Sequence, residues 1–183
     1  MRRNMFGTAK RQQFIKEFGF TCRCPRCLDP TELGTYLSAM TCKSCKLLNS
    51  AESSPGYLLP TDPLDLSTLA PWKCNNCDST SKTCELLPTI DRVYSIIEKH
   101  MYSSSELSSR CAEFCLFVIA KYRGHVLHPN HWLIGEATRA IQRIYTATLH
   151  TLDSIGLDRY IEYCSYLMVI EGQVNRGVTP GTC

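Results

Sequence analysis

What the sequence lacks narrows its function before any motif is read. It contains no G-x-S-x-G, no P-loop and no dinucleotide-binding glycine pattern, which removes the common serine-hydrolase elbow and nucleotide cradles. It has no Asn-x-Ser/Thr glycosylation acceptor, and no apolar h-region follows the arginines behind Met1. The longest apolar run, around Cys115 to Ala120, is far short of the roughly 20 residues that span a bilayer. Neither charge sign dominates, and the net charge of +3 does not by itself imply nucleic-acid binding. The expectation is an intracellular protein of the nucleus and/or cytoplasm, without membrane association.

Cysteine, by contrast, is abundant: twelve in 183 residues. Seven lie in tight C-x-C or C-x-x-C units, the spacing of metal knuckles in a reducing compartment rather than of a secreted disulfide framework. Cys22, Cys24 and Cys27 follow the bulky pair Phe18 and Phe20 and offer three thiolates to a metal that takes four ligands. Cys42 and Cys45 form one C-x-x-C unit, and Cys74 and Cys77 form another, with 28 residues between them. Two such knuckles make a four-cysteine zinc ribbon, here with a longer loop than the usual spacing of about 15–20 residues. Tyr57, Leu58, Leu59 and Trp72 are the expected apolar cover over the thiolates.

Charge divides along the chain. Residues 1–46 hold nine Lys/Arg against three acidic residues, a local net of +6, which leaves −3 for the remainder. A helix is expected over Thr8 to Phe18, with Thr8 as cap, an apolar stripe of Phe14, Ile15 and Phe18, and Lys10, Arg11, Lys16 and Glu17 left for water. From Thr89 the periodicity is helical. Ile90, Val93, Tyr94, Ile97 and Met101 mark a first helix capped by Thr89. Glu106 to Tyr122 marks a second, with Leu107, Cys111, Phe114, Cys115, Val118 and Tyr122 inward. A third starts near Asn130, runs to about Asp153 and carries Leu133, Ile134, Ala137, Ile141, Ile144 and Thr148. A fourth, Leu157 to Glu171, turns Tyr160, Ile161, Cys164, Leu167 and Met168 inward. Short connections suggest antiparallel hairpins in a tetratricopeptide-like layer, although that repeat's own residue pattern is absent.

The expected fold is therefore mostly α with a small zinc-stabilised N-terminal part. Its pieces are 1–28 with the first knuckle, 29–84 with the four-cysteine ribbon, 85–173 with the helical hairpins, and a loose tail at 174–183. Cys111, Cys115 and Cys164 fall on apolar helix faces, where free cysteine packs as a small hydrophobe. Cys84 is the nearest substitute fourth ligand for the first knuckle, and Cys183 is also unpaired. His125, His128 and His131 flank Pro129 and cannot share one helical face, so packing and capping suit them better than metal binding. No catalytic constellation stands out.

In their order, these residues resemble the SET-and-MYND (SMYD) protein-lysine methyltransferases, in particular the SmydA-like branch of arthropods. Gly7, Thr8 and Arg11 match Gly-Thr-x-x-Arg, and Phe20, Cys22, Cys24 and Cys27 match the Phe-x-Cys-x-Cys-x-x-Cys of a post-SET knuckle. Asp29 to Thr35 reads Asp-Pro-Thr-Glu-Leu-Gly-Thr, Leu59 to Asp65 matches the branch's ribbon, Trp72 precedes the second knuckle, and Leu127 to His131 reads Leu-His-Pro-Asn-His. The resemblance implies Zn2+ at Cys42, Cys45, Cys74 and Cys77 and at the post-SET cysteines. It also implies an S-adenosylmethionine pocket edged by Phe20 in a full-length relative. The family's Asn-His-Ser-Cys segment, which supplies the fourth post-SET ligand, is absent, and its catalytic tyrosine would align at about Met1. The expectation is thus a C-terminal fragment, without the MYND finger and most of the SET core, inactive alone. A partial gene model would give the same picture. Protein partners or substrates, with histones as one candidate, would meet the helical domain. The rival reading is a stand-alone zinc-ribbon and helical module that binds protein or nucleic acid.

Overall fold

The computed structural model describes residues 5–48, 55–102 and 109–176. The chain forms α1 (Thr8–Lys16), α2 (Pro25–Leu28), β1 (Met40–Thr41), α3 (Lys43–Leu48), β2 (Tyr57–Pro60), β3 (Pro71–Cys74), β4 (Thr80–Lys82), α4 (Thr83–Tyr102), α5 (Ser109–Tyr122), α6 (Trp132–Ala147) and α7 (Ser154–Arg176). It is mostly helical, with one small sheet in the order β1-β2-β3-β4. Each strand pairs antiparallel with the next, Leu58 facing Met40 on one side and Cys74 on the other.

Strands this short cannot stand alone. The sheet is carried by a core it shares with the helices: Met40, Leu58 and Trp72 pack in one cluster with Val93, Cys115, Leu127, Trp132 and Ile141. Backbone bonds fasten the two. Thr41 N–H donates to Val126 O (2.9 Å), His128 N–H to Ala39 O (3.0 Å) and Trp132 N–H to Leu37 O (2.9 Å). The α5–α6 connector therefore runs as an extra ladder along the segment that leads into the ribbon.

Among the helices, α6 is the centre. Its first seven residues are all buried, and it packs on α4, α5 and α7. His131 caps it, Nδ1 accepting the Leu133 N–H at 3.2 Å. His128 stacks on Tyr36 and meets Tyr57 edge-on, and burial lowers its pKa to about 4, so it sits there as a neutral ring. Both histidines are thus packing and capping groups.

The helix faces of α4, α5 and α6 follow the apolar periodicity, with Val93, Ile97, Cys111, Cys115, Val118, Leu133, Ile134, Ala137 and Ile141 all buried. Several edges differ. α4 starts at Thr83 rather than Thr89, because Glu85 closes a capping box on the Lys82 N–H and Ser81 hydroxyl, while Pro88 is absorbed near the start of the helix. α7 continues to Arg176, so Val174, expected in a loose tail, is buried. Its inner face is Leu167, Ile170 and Val174, whereas Ile161 and Met168 face solvent. In α1, Gly7 is the cap position and Thr8 the first helical residue. Phe18 is exposed and Arg11 buried, the reverse of what its apolar stripe suggests. Glu106, Leu107 and Cys183, and residues 49–54 of the ribbon loop, lie outside the described residues.

Candidate metal centres

The ribbon brings both C-x-x-C units together. Cys42 follows β1, Cys45 sits in α3, Cys74 ends β3 and Cys77 lies in the turn before β4. All four Sγ atoms lie within 4.8 Å of one another, with Cys42–Cys77 at 3.7 Å and Cys45–Cys74 at 3.6 Å. Zn–S bonds of about 2.3 Å in a tetrahedron put sulfurs about 3.8 Å apart, so the donor set fits Zn2+. The outer contacts also suit thiolates. Asn76 N–H donates to Cys74 Sγ (3.4 Å), and the Cys77 thiol donates to Ser79 Oγ (3.2 Å), a hydroxyl that can turn to donate once the thiol has lost its proton. The Ser79 hydroxyl and backbone N–H lower the Cys77 pKa to about 6, whereas the bond with Cys77, then burial, pushes Cys45 up to about 12.

Gly56 is what lets β2 approach this cluster. A Cβ there would lie 2.4 Å from Cys45 Sγ and 2.8 Å from Cys74 Sγ, while Gly56 O accepts the Cys42 N–H. Gly56→Ala is expected to weaken metal retention at the ribbon by at least roughly tenfold, because the methyl group displaces two ligands. Chelator competition on the purified variant checks this, and retention equal to the parent's would show that the ribbon tolerates the methyl.

The second cluster is Cys22, Cys24 and Cys27, whose Sγ atoms also lie within 4.8 Å of one another. Cys24 caps the short α2, where Pro25 takes the first helical position. Gln12 of α1 holds the strand of chain that brings Cys22 in: its Nε2 donates to Cys22 O (2.7 Å) and its Oε1 accepts the Cys22 N–H (3.1 Å). Arg26 reaches back to the start of α1, Nη2 donating to Phe6 O at 3.0 Å. Burial raises the Cys27 pKa, and the Arg11 charge opposes that rise. Cys84, the candidate fourth ligand, is exposed at the start of α4, its N–H donating to Thr68 O, and does not join the trio. Among the described residues these are the two groups of three or more His, Cys, Asp or Glu with metal-ligand spacing, and the described cysteines are free thiols.

The motif Asp29 to Thr35 has a clear mechanical part. Asp29 carboxylate oxygens accept from Thr31 N–H and Oγ1 and from Leu33 N–H, tightening a turn in which Glu32, Leu33 and Gly34 all have positive φ. That turn drives the Glu32 side chain into the protein. Its carboxylate accepts from Thr8 N–H and Oγ1 at the start of α1 and from Ser38 N–H. α1 has no side-chain cap of its own, so a carboxylate 24 residues away serves as one.

No protein-family profile matches the sequence, and no solved structure matches it. Curated proteins do. The SET domain-containing protein SmydA-8, isoform B, of Drosophila melanogaster is 30% identical over 103 residues, 52% of this chain and 21% of that protein. Its isoform A is 29% identical over 119 residues, 61% of this chain and 24% of that protein. The chain is related in sequence to a SET domain protein. It spans about a quarter or less of the length of those curated relatives.

Phe18 and Phe20, beside the trio, are 67% and 57% exposed, unusual for side chains of that size. One cavity was not anticipated from sequence. About 180 Å³ in volume, it lies between α1, α4 and the ribbon, lined by both tryptophans, Trp72 and Trp132, with Leu86, Ile90 and Tyr94. Its lining comes from five separate stretches, which no local pattern links. No helix of the described residues is long and apolar enough to cross a membrane.

Proposed function

We propose that this chain is the post-SET and C-terminal part of an SMYD-like, S-adenosylmethionine-dependent protein-lysine methyltransferase of the SmydA-like branch. Zinc at the two cysteine clusters would hold its scaffold and take no part in the chemistry. One observation carries the reading: α1 leads through the uncovered Phe18 and Phe20 straight into the Cys22–Cys24–Cys27 cluster, in a chain similar to a SET domain protein. In this reading Phe20 edges the adenine pocket, and a cysteine of the SET core completes the trio. S-adenosylmethionine supplies the methyl group when bound, and the enzyme's part is to align it with a lysine amine in a dry site. The two phenylalanines form one wall of that site. They align nothing by themselves, and no residue of this chain is assigned a catalytic role.

The purified 183-residue chain is therefore expected to transfer no methyl group to histones or bulk protein. Radiolabelled S-adenosylmethionine tests this, and transfer above background would overturn the reading. Protein partners, histones among them, would meet the helical half, where Phe117, Ile161 and Met168 face solvent.

A specific observation favours a second reading, a binding module for nucleic acid. Lys43, Lys46, Lys73 and Lys82 are all exposed on the ribbon. Arg26, part of the basic front in sequence, is buried and does not belong to that face. Salt-sensitive DNA or RNA binding, lost on neutralising Arg23, Lys43 and Lys46, would support the second reading.

A further inference from the structure

The cavity between α1, α4 and the ribbon is lined by neither Phe18 nor Phe20 and by no cysteine, so it is separate from the phenylalanine wall and from both metal clusters. Its walls include Trp72 and Trp132, both buried, and the Tyr94 ring lies 5.7 Å from that of Trp132. His131, fully buried, lines it too. Nδ1 of that ring accepts the Leu133 N–H, so the imidazole proton sits on Nε2, on the side of the ring turned away from the helix start. Nε2 has no hydrogen-bond partner. Burial lowers the His131 pKa to about 3, so the ring stays neutral and offers one unmet N–H, a destabilising state for a buried donor. The buried carboxylate that shares the cavity, Glu32, is turned to Thr8 and Ser38.

Charge and size narrow what could meet that donor. Glu32, Asp65 and Asp91 line the cavity against one cation, Lys10, whose Nζ lies 4.6 Å over the Tyr94 ring. An anion would face three carboxylates, and a cation cannot accept from the His131 N–H. A neutral acceptor meets neither obstacle. A dry apolar cavity of about 150 Å³ holds benzene. A volume of about 180 Å³ therefore takes one ring with a short polar group and is too small for a nucleotide.

We propose that this cavity binds a small neutral molecule built of one ring and a carbonyl group. The ring lies against Trp72, Trp132 and Tyr94, and the carbonyl oxygen accepts from His131 Nε2–H. Such a ligand meets α1 at Ala9, β3 at Trp72 and α4 at Ile90, so it braces the ribbon against the helices. The site stands independently of the methyl-transfer reading.

Benzamide is the probe, with toluene, benzoate and benzylammonium as comparisons of nearly the same size. The chain has two tryptophans and both line the cavity, so their two indole N–H signals in the NMR spectrum of the purified chain report on it. Benzamide is expected to move both signals saturably, with a Kd in the millimolar range or below, as suits a ligand of that size. Benzoate and benzylammonium should bind at least roughly tenfold more weakly, because each carries a charge into a buried site. His131→Ser keeps a capping oxygen for α6 and removes the Nε2–H. It is expected to weaken benzamide roughly tenfold while toluene, which accepts no hydrogen bond, binds no less tightly than before. No saturable shift with benzamide would overturn the proposal and leave the cavity to water. Either ion binding as tightly as benzamide would also overturn it, as would an equal loss of benzamide and toluene in the variant. Should His131→Ser not fold, the parent decides: the proton on His131 Nε2 should move downfield with benzamide and not with toluene. A proton that does not move with benzamide would contradict the assignment.

Discussion

Cys74→Ser is expected to release the ribbon's zinc and lower Tm by roughly 8–16 °C, equivalent to a loss of about 4 kcal/mol in a protein of this size. Cys74 is 4% exposed, ends β3 opposite Leu58, and lies within the cluster that joins the sheet to the helices. Structural zinc in small peptides is worth about 10–16 kcal/mol, comparable to the whole stability of a domain. The four strands, of two to four residues each, have little else to hold them. Because Leu58 and Trp72 belong to the common core, the loss should spread into α4 and α6 instead of staying local. Hydrogen exchange should therefore show lost protection in β2, β3, α4 and α6. Cys84→Ser makes the contrast: that thiol is exposed and belongs to neither cluster, so its stability should move by less than about 0.5 kcal/mol. Equal behaviour of the two variants would mean that the cysteine pattern is not metal-holding.

Glu32→Ala is expected to cost about 3–5 kcal/mol, an unusually large effect for an acidic residue in a loop. Glu32 is 1% exposed, and its carboxylate accepts the backbone N–H groups of Thr8 and Ser38, the first of these opening α1. Removal leaves the buried Thr8 N–H and the part-buried Ser38 N–H without acceptors and strips the negative charge from the helix N-terminus. Since α1 carries Gln12, which holds the Cys22 backbone, the Cys22–Cys24–Cys27 cluster should loosen at the same time. Glu32 has φ of 55°, a conformation that costs a non-glycine residue about 1 kcal/mol or more. Glu32→Gly relieves that strain but still loses the carboxylate, so its loss should fall short of that of Glu32→Ala by about that amount. Denaturant unfolding of the three proteins checks the order. A glycine variant as stable as the parent would show that backbone strain, and not the carboxylate, is what the position contributes.

The parts legible in the sequence are those governed by short-range spacing. Cys42 and Cys45, and Cys74 and Cys77, announce themselves because a thiolate pair needs a tight turn, whatever folds between them. The faces of α4, α5 and α6 are legible because their neighbours are apolar on both sides: Val93, Ile97, Cys115, Val118, Leu133 and Ile141 fall where the period puts them. The rest depends on partners far away in sequence. The buried side of α1 is polar, answering to Glu32 and Cys22, so a search for apolar stripes assigns Arg11 to water. α7 packs its later residues, Leu167, Ile170 and Val174, and Tyr166 reaches Pro129 O at 2.7 Å. A fourth helix judged by hydrophobicity alone is rotated, with Ile161 and Met168 placed inside. α4 is lengthened by the contact of Glu85 with Ser81 and Lys82, which the nearby Pro88 conceals from a rule that treats proline as a boundary.

Native mass spectrometry of the intact chain measures metal content and cysteine oxidation state together. The expected result is a folded protein with all twelve cysteines reduced and one zinc that survives a chelator challenge sufficient to strip the second. That firmly held ion should be absent from Cys74→Ser. A folded, metal-free chain whose mass shows the loss of hydrogens to disulfide bonds at these same cysteines would contradict it.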